Sequence, residues 1–133
     1  MEVKIDDVLL DELTAQAKVS PRLRMNYDLR NSSADTSQRM LNAIEPGSEV
    51  PIHRHRSTSE TVVVLRGRVI EEFYDDAGAV LEACEVSAGG SVCALNIPVG
   101  VWHTLRSLES GTVIIEVKDG AYEPISDCDI LRY

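Results

Sequence analysis

The chain has 133 residues, 44% of them apolar and 26% charged, with a formal net charge of −9. Such a length and composition suit one compact domain and exclude a disordered segment, a collagen-like fibre and a disulfide-scaffolded miniprotein. The acidic balance argues against nucleic acid as a partner, and the densest apolar run, Val62-Val63-Val64-Leu65, is far short of the roughly twenty residues of a bilayer helix.

In chain order, residues 6–18 read as a short helix. Asp6 or Asp7 can cap it, Leu9, Leu10, Leu13 and Ala17 share one side, and Pro21 closes the segment. Strand-like stretches follow, punctuated by turn residues: Arg39 to Glu45, Val50 to His55, Glu60 to Leu65, Val69 to Tyr74, Val80 to Val86, Val92 to Ile97, Val101 to Leu105 and Thr112 to Val117. Short strands with turns every eight to twelve residues or so indicate an all-β sandwich or barrel. The expected division is a helical lead-in over residues 1–20 and a β-barrel domain over 21–133.

The start, Met1-Glu2-Val3-Lys4-Ile5, lacks the order of a signal peptide. Cys84, Cys93 and Cys128 form no Cys-x-x-Cys pair and read as small core residues with reduced thiols, so a cytoplasmic location is expected. Charge is unevenly spread, with eight arginines against five acids between Arg22 and Arg68. Arginine grips planar anions in a fixed fork, which points to a small anionic ligand.

The chain has three histidines, His53, His55 and His103. On a strand, side chains two apart share a face, so His53 and His55 point together, and a hairpin would return Glu60 beside them. Three imidazoles and a carboxylate suit a divalent first-row metal such as Fe, Mn, Ni or Zn, and leave positions for water or substrate. The stretch reads Gly47, five residues, His53-Arg54-His55, four residues, Glu60, six residues, Gly67. That spacing matches the first signature of the cupin superfamily, and Pro98-Val99-Gly100-Val101-Trp102-His103 resembles its second. The second element departs from the pattern at Val92, where a glycine is usual, and at Ser107, where an asparagine is usual.

Arg24-Met25-Asn26-Tyr27, Gln38 to Ala43, Leu65-Arg66-Gly67-Arg68, Trp102-His103-Thr104, Glu116-Val117-Lys118 and Gly120 to Pro124 extend the likeness. Together with the histidine motif they resemble the WbuC family of small cupin-fold metalloproteins, from about Arg24 to Pro124. The resemblance implies a single jelly-roll barrel, a metal held by His53, His55, Glu60 and His103, and a link to bacterial surface-polysaccharide metabolism.

Arg24, Asn26, Gln38, Arg39 and Asn42 form a polar set that could bind substrate, and Arg39, Tyr27 and Tyr122 are candidate catalytic groups. Arg39 shares a strand face with Leu41, and Asn42 lies on the other. Arg66 and Arg68 flank a turn and read as solvated. The functional expectation is a metal-dependent isomerase, epimerase or oxygenase acting on a small anionic or sugar-derived molecule. The alternative is a non-catalytic, metal-dependent binding or sensor protein. A homodimer is expected, because open sandwiches leave strand edges to cover.

Overall fold

The computed structural model describes residues 2–131. Met1 and residues 132–133, which the expected division assigns to lead-in and barrel, lie outside the described residues. Helix α1 (Asp7–Val19) precedes eight strands: β1 (Arg24–Asp28), β2 (Ser37–Ile44), β3 (Glu60–Arg66), β4 (Arg68–Tyr74), β5 (Val80–Ser87), β6 (Ala94–Ile97), β7 (Trp102–Ser107) and β8 (Val113–Asp119). A 3₁₀ turn, Asp127–Asp129, follows. The strands form two antiparallel sheets, ordered β1-β2-β8-β3-β6 and β5-β4-β7.

Helix α1 begins where Asp6 accepts a hydrogen bond from the Leu9 N–H at 3.0 Å, satisfying one orphan donor of the first turn. Its apolar side, Leu10, Leu13 and Ala17, buries against Leu41, Ala43 and Val113 on the outer face of β2 and β8. Each leucine so buried contributes about 2 kcal/mol. Arg66, expected to be solvated, instead ties the helix to the end of β3 through Asp7 at 3.0 Å and Asp11 at 2.7 Å. Arg68 is solvated as expected, 45% exposed, and meets Glu85 at 2.6 Å. Both arginines flank a turn whose neighbours are acidic, and the long stems reach them.

Between the sheets lie Ile44, Val62, Val64, Val69, Val86, Ile97, Leu105 and Ile114. The chain crosses from one sheet to the other at Gly67, between β3 and β4. That crossing requires glycine: φ is +83°, and a Cβ would sit 2.8 Å from the Thr112 Cα.

Three expectations are corrected. Residues 50–55 are not a strand; His53 makes only isolated bridges, to His103 and to Ile130. Pro51 lacks an N–H for a ladder, so the segment is held at single points. Strand β1 was not foreseen, because only five residues alternate in it and three of them are polar. Of the cysteines, Cys84 packs against the core, whereas Cys93 and Cys128 are exposed. Among the described residues, no helix is long and apolar enough to cross a membrane.

Candidate metal centre

The inward positions of the strands change character along their length. On β3, Val64 and Val62 give way to Glu60; on β8, Ile114 gives way to Glu116 and Lys118; on β7, Leu105 gives way to His103. The registers align these changes, with Val64 opposite Ile114, Val62 opposite Glu116 and Glu60 opposite Lys118. One end of the barrel is therefore apolar core, and the other is a cavity of about 370 Å³ with ionisable walls.

Three imidazoles and one carboxylate converge in that cavity. A ligand atom from each of His53, His55, Glu60 and His103 lies within 4.8 Å of the others. His53 and His103 face each other as a bridged pair, His53 N–H donating to the His103 carbonyl at 3.0 Å and His103 N–H to the His53 carbonyl at 2.8 Å. This pairing brings their ring centroids to 4.4 Å. Glu60 comes from β3, which pairs with β6 and β8, so no hairpin with the histidine segment places it, contrary to expectation.

Each of these two histidines is oriented by the carbonyl two residues before it. The Nδ1–H of His53 donates to Pro51 O at 2.8 Å, and that of His103 to Val101 O at 2.9 Å. A carbonyl only accepts, so Nδ1 carries the proton and Nε2 presents a lone pair. His55 Nε2 lies 2.9 Å from Glu60 Oε2, and His103 Nε2 lies 3.8 Å from it. Neither approach makes a hydrogen bond, and all three atoms are buried without a hydrogen-bond partner among the described residues. Buried lone pairs aimed at one another repel unless a cation lies between them. Ligand atoms about 2.1 Å from an ion are themselves about 3 to 4.2 Å apart, close to the spread of up to 4.8 Å seen here. The donor set fits a divalent metal.

Burial, with His103 second, pushes the His53 imidazole down to about 4. It stays neutral and available as a ligand at ordinary pH. Burial works against the charged form of the Glu60 carboxyl, and the Lys118 ammonium 3.9 Å away favours it. Glu116, inward on β8, is pushed up to about 7 by burial and by Glu60, against the pull of Lys118. Glu116 and Lys118 line the cavity; in the sequence they stand out only as part of the WbuC likeness, with no site role assigned. Their two-residue alternation after Ile114 was the available signal.

Of the expected accessory residues, Arg24, Asn26, Gln38 and Asn42 line the cavity. Arg24 donates to Glu49 O at 2.7 Å, and Gln38 to Gly120 O at 2.8 Å. Arg39 reaches the rim from Leu41's side of β2 and is paired with Asp35 at 3.1 Å. Tyr27 packs beneath α1. Tyr122 is 54% exposed at the cavity mouth, with the Arg30 guanidinium 5.6 Å from its ring centroid.

A family model described as a domain of unknown function (DUF6016) matches residues 5–86. The chain belongs to that family. The match takes in His53, His55 and Glu60 and stops short of His103. No curated protein matches the DUF6016 chain in sequence. Solved structures similar to it include CapF, a capsular polysaccharide assembling protein from Staphylococcus aureus, at 23% identity and TM-score 0.65, over 85% of this chain and 32% of that one. Oxalate oxidase in complex with glycolate is similar at 15% identity and TM-score 0.65, over 82% and 57%. KdgF from Halomonas sp. is similar at 17% identity and TM-score 0.61, over 78% and 85%. These are cupin jelly-roll proteins, and the DUF6016 chain has the cupin fold. It spans about a third of the CapF chain and just over half of the oxalate oxidase chain.

Proposed function

We propose that this DUF6016 protein is a metal-dependent enzyme of the isomerase, epimerase or oxygenase type, acting on a small anionic or sugar-derived molecule. The observation that carries the reading is the convergence of buried, hydrogen-bond-free Nε2 and carboxylate atoms beside a polar cavity. His53, His55, Glu60 and His103 are the proposed ligands of one Fe, Mn, Ni or Zn ion. Such an ion supplies Lewis acidity toward substrate oxygens at its open positions.

The chain's own groups do the rest. Arg24, held by Glu49 O and with no carboxylate within ion-pair distance among the described residues, is the anchor for a carboxylate or phosphate. Asn26, Asn42 and Gln38 supply neutral donors and acceptors for hydroxyl groups. Ile44 and Leu105 wall the inner end and exclude water, which strengthens every charge interaction there. Glu116 is the group placed to take or give a proton at its carboxyl oxygen.

The sequence resemblance to the WbuC family supports a bacterial protein linked to surface-polysaccharide metabolism, the structural likeness to a capsular polysaccharide assembling protein leans the same way, and the unpaired cysteines support a cytoplasmic location. A homodimer, with residues 21–133 as the working barrel and 1–20 as its lead-in, completes the proposal.

Elemental analysis of the purified protein tests the metal. A thermal-shift series of small carboxylates and sugar phosphates, with and without metal, then tests the ligand. Stabilisation that needs both the metal and the anion supports the reading; protein that is empty and indifferent to chelators and metals refutes it. Binding with no turnover of any stabilising compound favours the non-catalytic binding protein.

A further inference from the structure

The reverse side of the histidine segment carries a second cluster. Alternation along extended backbone turns His53 and His55 into the cavity and Arg54 and Arg56 away from it. Both arginines converge on one carboxylate: Arg54 Nε donates to Asp129 Oδ1 at 2.9 Å, and Arg56 Nε to the same oxygen at 2.6 Å. Asp129 is 8% exposed, and its other oxygen accepts from Ser126 Oγ at 3.2 Å. Arg54 also lies over the Trp102 ring, 4.3 Å from its centroid, and Trp102 adjoins His103. The Trp102 indole N–H is fixed by Asp76 at 2.8 Å.

We infer that Asp129 is a positioning residue that sets the metal affinity of the cavity from behind, without touching the ligand atoms. The inference rests on the reading of the cavity as a metal site. Residues 51–56 have no strand ladder to hold them. Their backbone is held at a few points: the His53 bridge to His103, Arg54 N–H to Asp129 O at 3.0 Å, Leu131 N–H to Ile52 O at 2.8 Å, and Gly100 N–H to His55 O at 2.8 Å. Two of these four attachments come from the segment that carries Asp129. The side-chain clamp adds charged hydrogen bonds on both sides of His55, at residues 54 and 56, and fixes the direction in which the imidazoles point. The same segment places Tyr122, Ile125 and Ile130 on the cavity wall, so one stretch of chain both braces the ligands and bounds the space before them.

Carboxylates that hydrogen-bond metal-bound histidines directly weaken metal binding about 10–100-fold when lost; Asp129 acts one step further back, through Arg54 and Arg56, so the lower end of that range is expected. The test uses Co(II) alone, titrated into the metal-free full chain against a competing chromophoric chelator. Urea unfolding of each metal-free variant is measured alongside. Asp129→Asn is expected to weaken Co(II) binding tenfold or more and to shift the Co(II) absorption band, with Asp129→Glu recovering part of the affinity. Arg56→Gln, a change at a side chain 58% exposed and so tolerated by the fold, is expected to weaken binding in the same direction. A purely structural clamp would lower the metal-free stability of these variants and leave the Co(II) affinity within twofold of the parent; that result overturns the inference. Failure of the parent itself to bind Co(II) overturns the metal reading beneath it, and the two failures are told apart by the parent titration.

Discussion

Glu71 gives the sharpest test of the electrostatics of this barrel. It points inward from β4, opposite Leu105 of β7 and Cys84 of β5, with no exposed surface and no hydrogen bond to either carboxyl oxygen among the described residues. Burial, reinforced by Glu60 and Glu116, pushes its carboxyl up from 4.5 to about 9. The folded protein therefore holds a proton on Glu71 at neutral pH that the unfolded chain releases. For a carboxyl raised on folding, the folded state binds more protons than the unfolded state between the two values, so stability falls as pH rises through that window. Each pH unit is worth about 1.4 kcal/mol, and the rise from about pH 5 to about pH 8 removes about 4 kcal/mol through this one group. Replacing Glu71 with glutamine removes the titration and keeps the shape. Urea unfolding of parent and Glu71→Gln, both in excess chelator at the two pH values, isolates it, because Glu116 and the histidines titrate in both proteins and cancel. The variant is expected to gain on the parent by several kcal/mol between the lower and the higher pH. Parallel stability profiles for the two proteins would refute the reasoning.

Three further outcomes are expected. His103→Ala removes a nearly inaccessible ligand; it is expected to cut metal affinity by at least a hundredfold and, with free metal a thousandfold above the parent's dissociation constant, to lower the stabilisation on metal addition from about 4 kcal/mol to about 1.4 kcal/mol or less. Arg24→Gln is expected to leave metal content unchanged, as measured by elemental analysis. It should weaken binding of an anionic ligand at least tenfold by calorimetry, the loss of a charged hydrogen bond being worth about 1.5–3 kcal/mol. Gly67→Ala forces a left-handed φ on a side chain that meets the Thr112 backbone, and is expected to lower urea stability by about 2 kcal/mol or more.

Much of the architecture follows from local pattern. The leucines of α1 fall at helical spacing, and the alternation in β2, β3, β4, β7 and β8 declares which residues face inward, because side-chain periods of 3.6 and 2 are set by backbone geometry alone. The metal set was also legible, since a shared two-residue offset places His53 and His55 on one side and the cupin spacing adds Glu60 and His103. Residues 50–55 form no strand, yet the alternation holds in any extended segment.

What the linear chain could not show depends on which distant segments meet. Nothing near Glu71 announces an unpaired buried carboxyl; it becomes one because β5 and β7 close around it. Arg39 and Arg24 look equally available in the sequence, but β1 is an edge strand that leaves Arg24 on the open cavity, whereas Asp35 captures Arg39. The joining of Asp129 to Arg54 and Arg56 spans more than seventy positions. Side-chain direction is a local property of backbone torsion, whereas solvation and partner choice are properties of the assembled barrel, and the chemistry of this cavity draws on both.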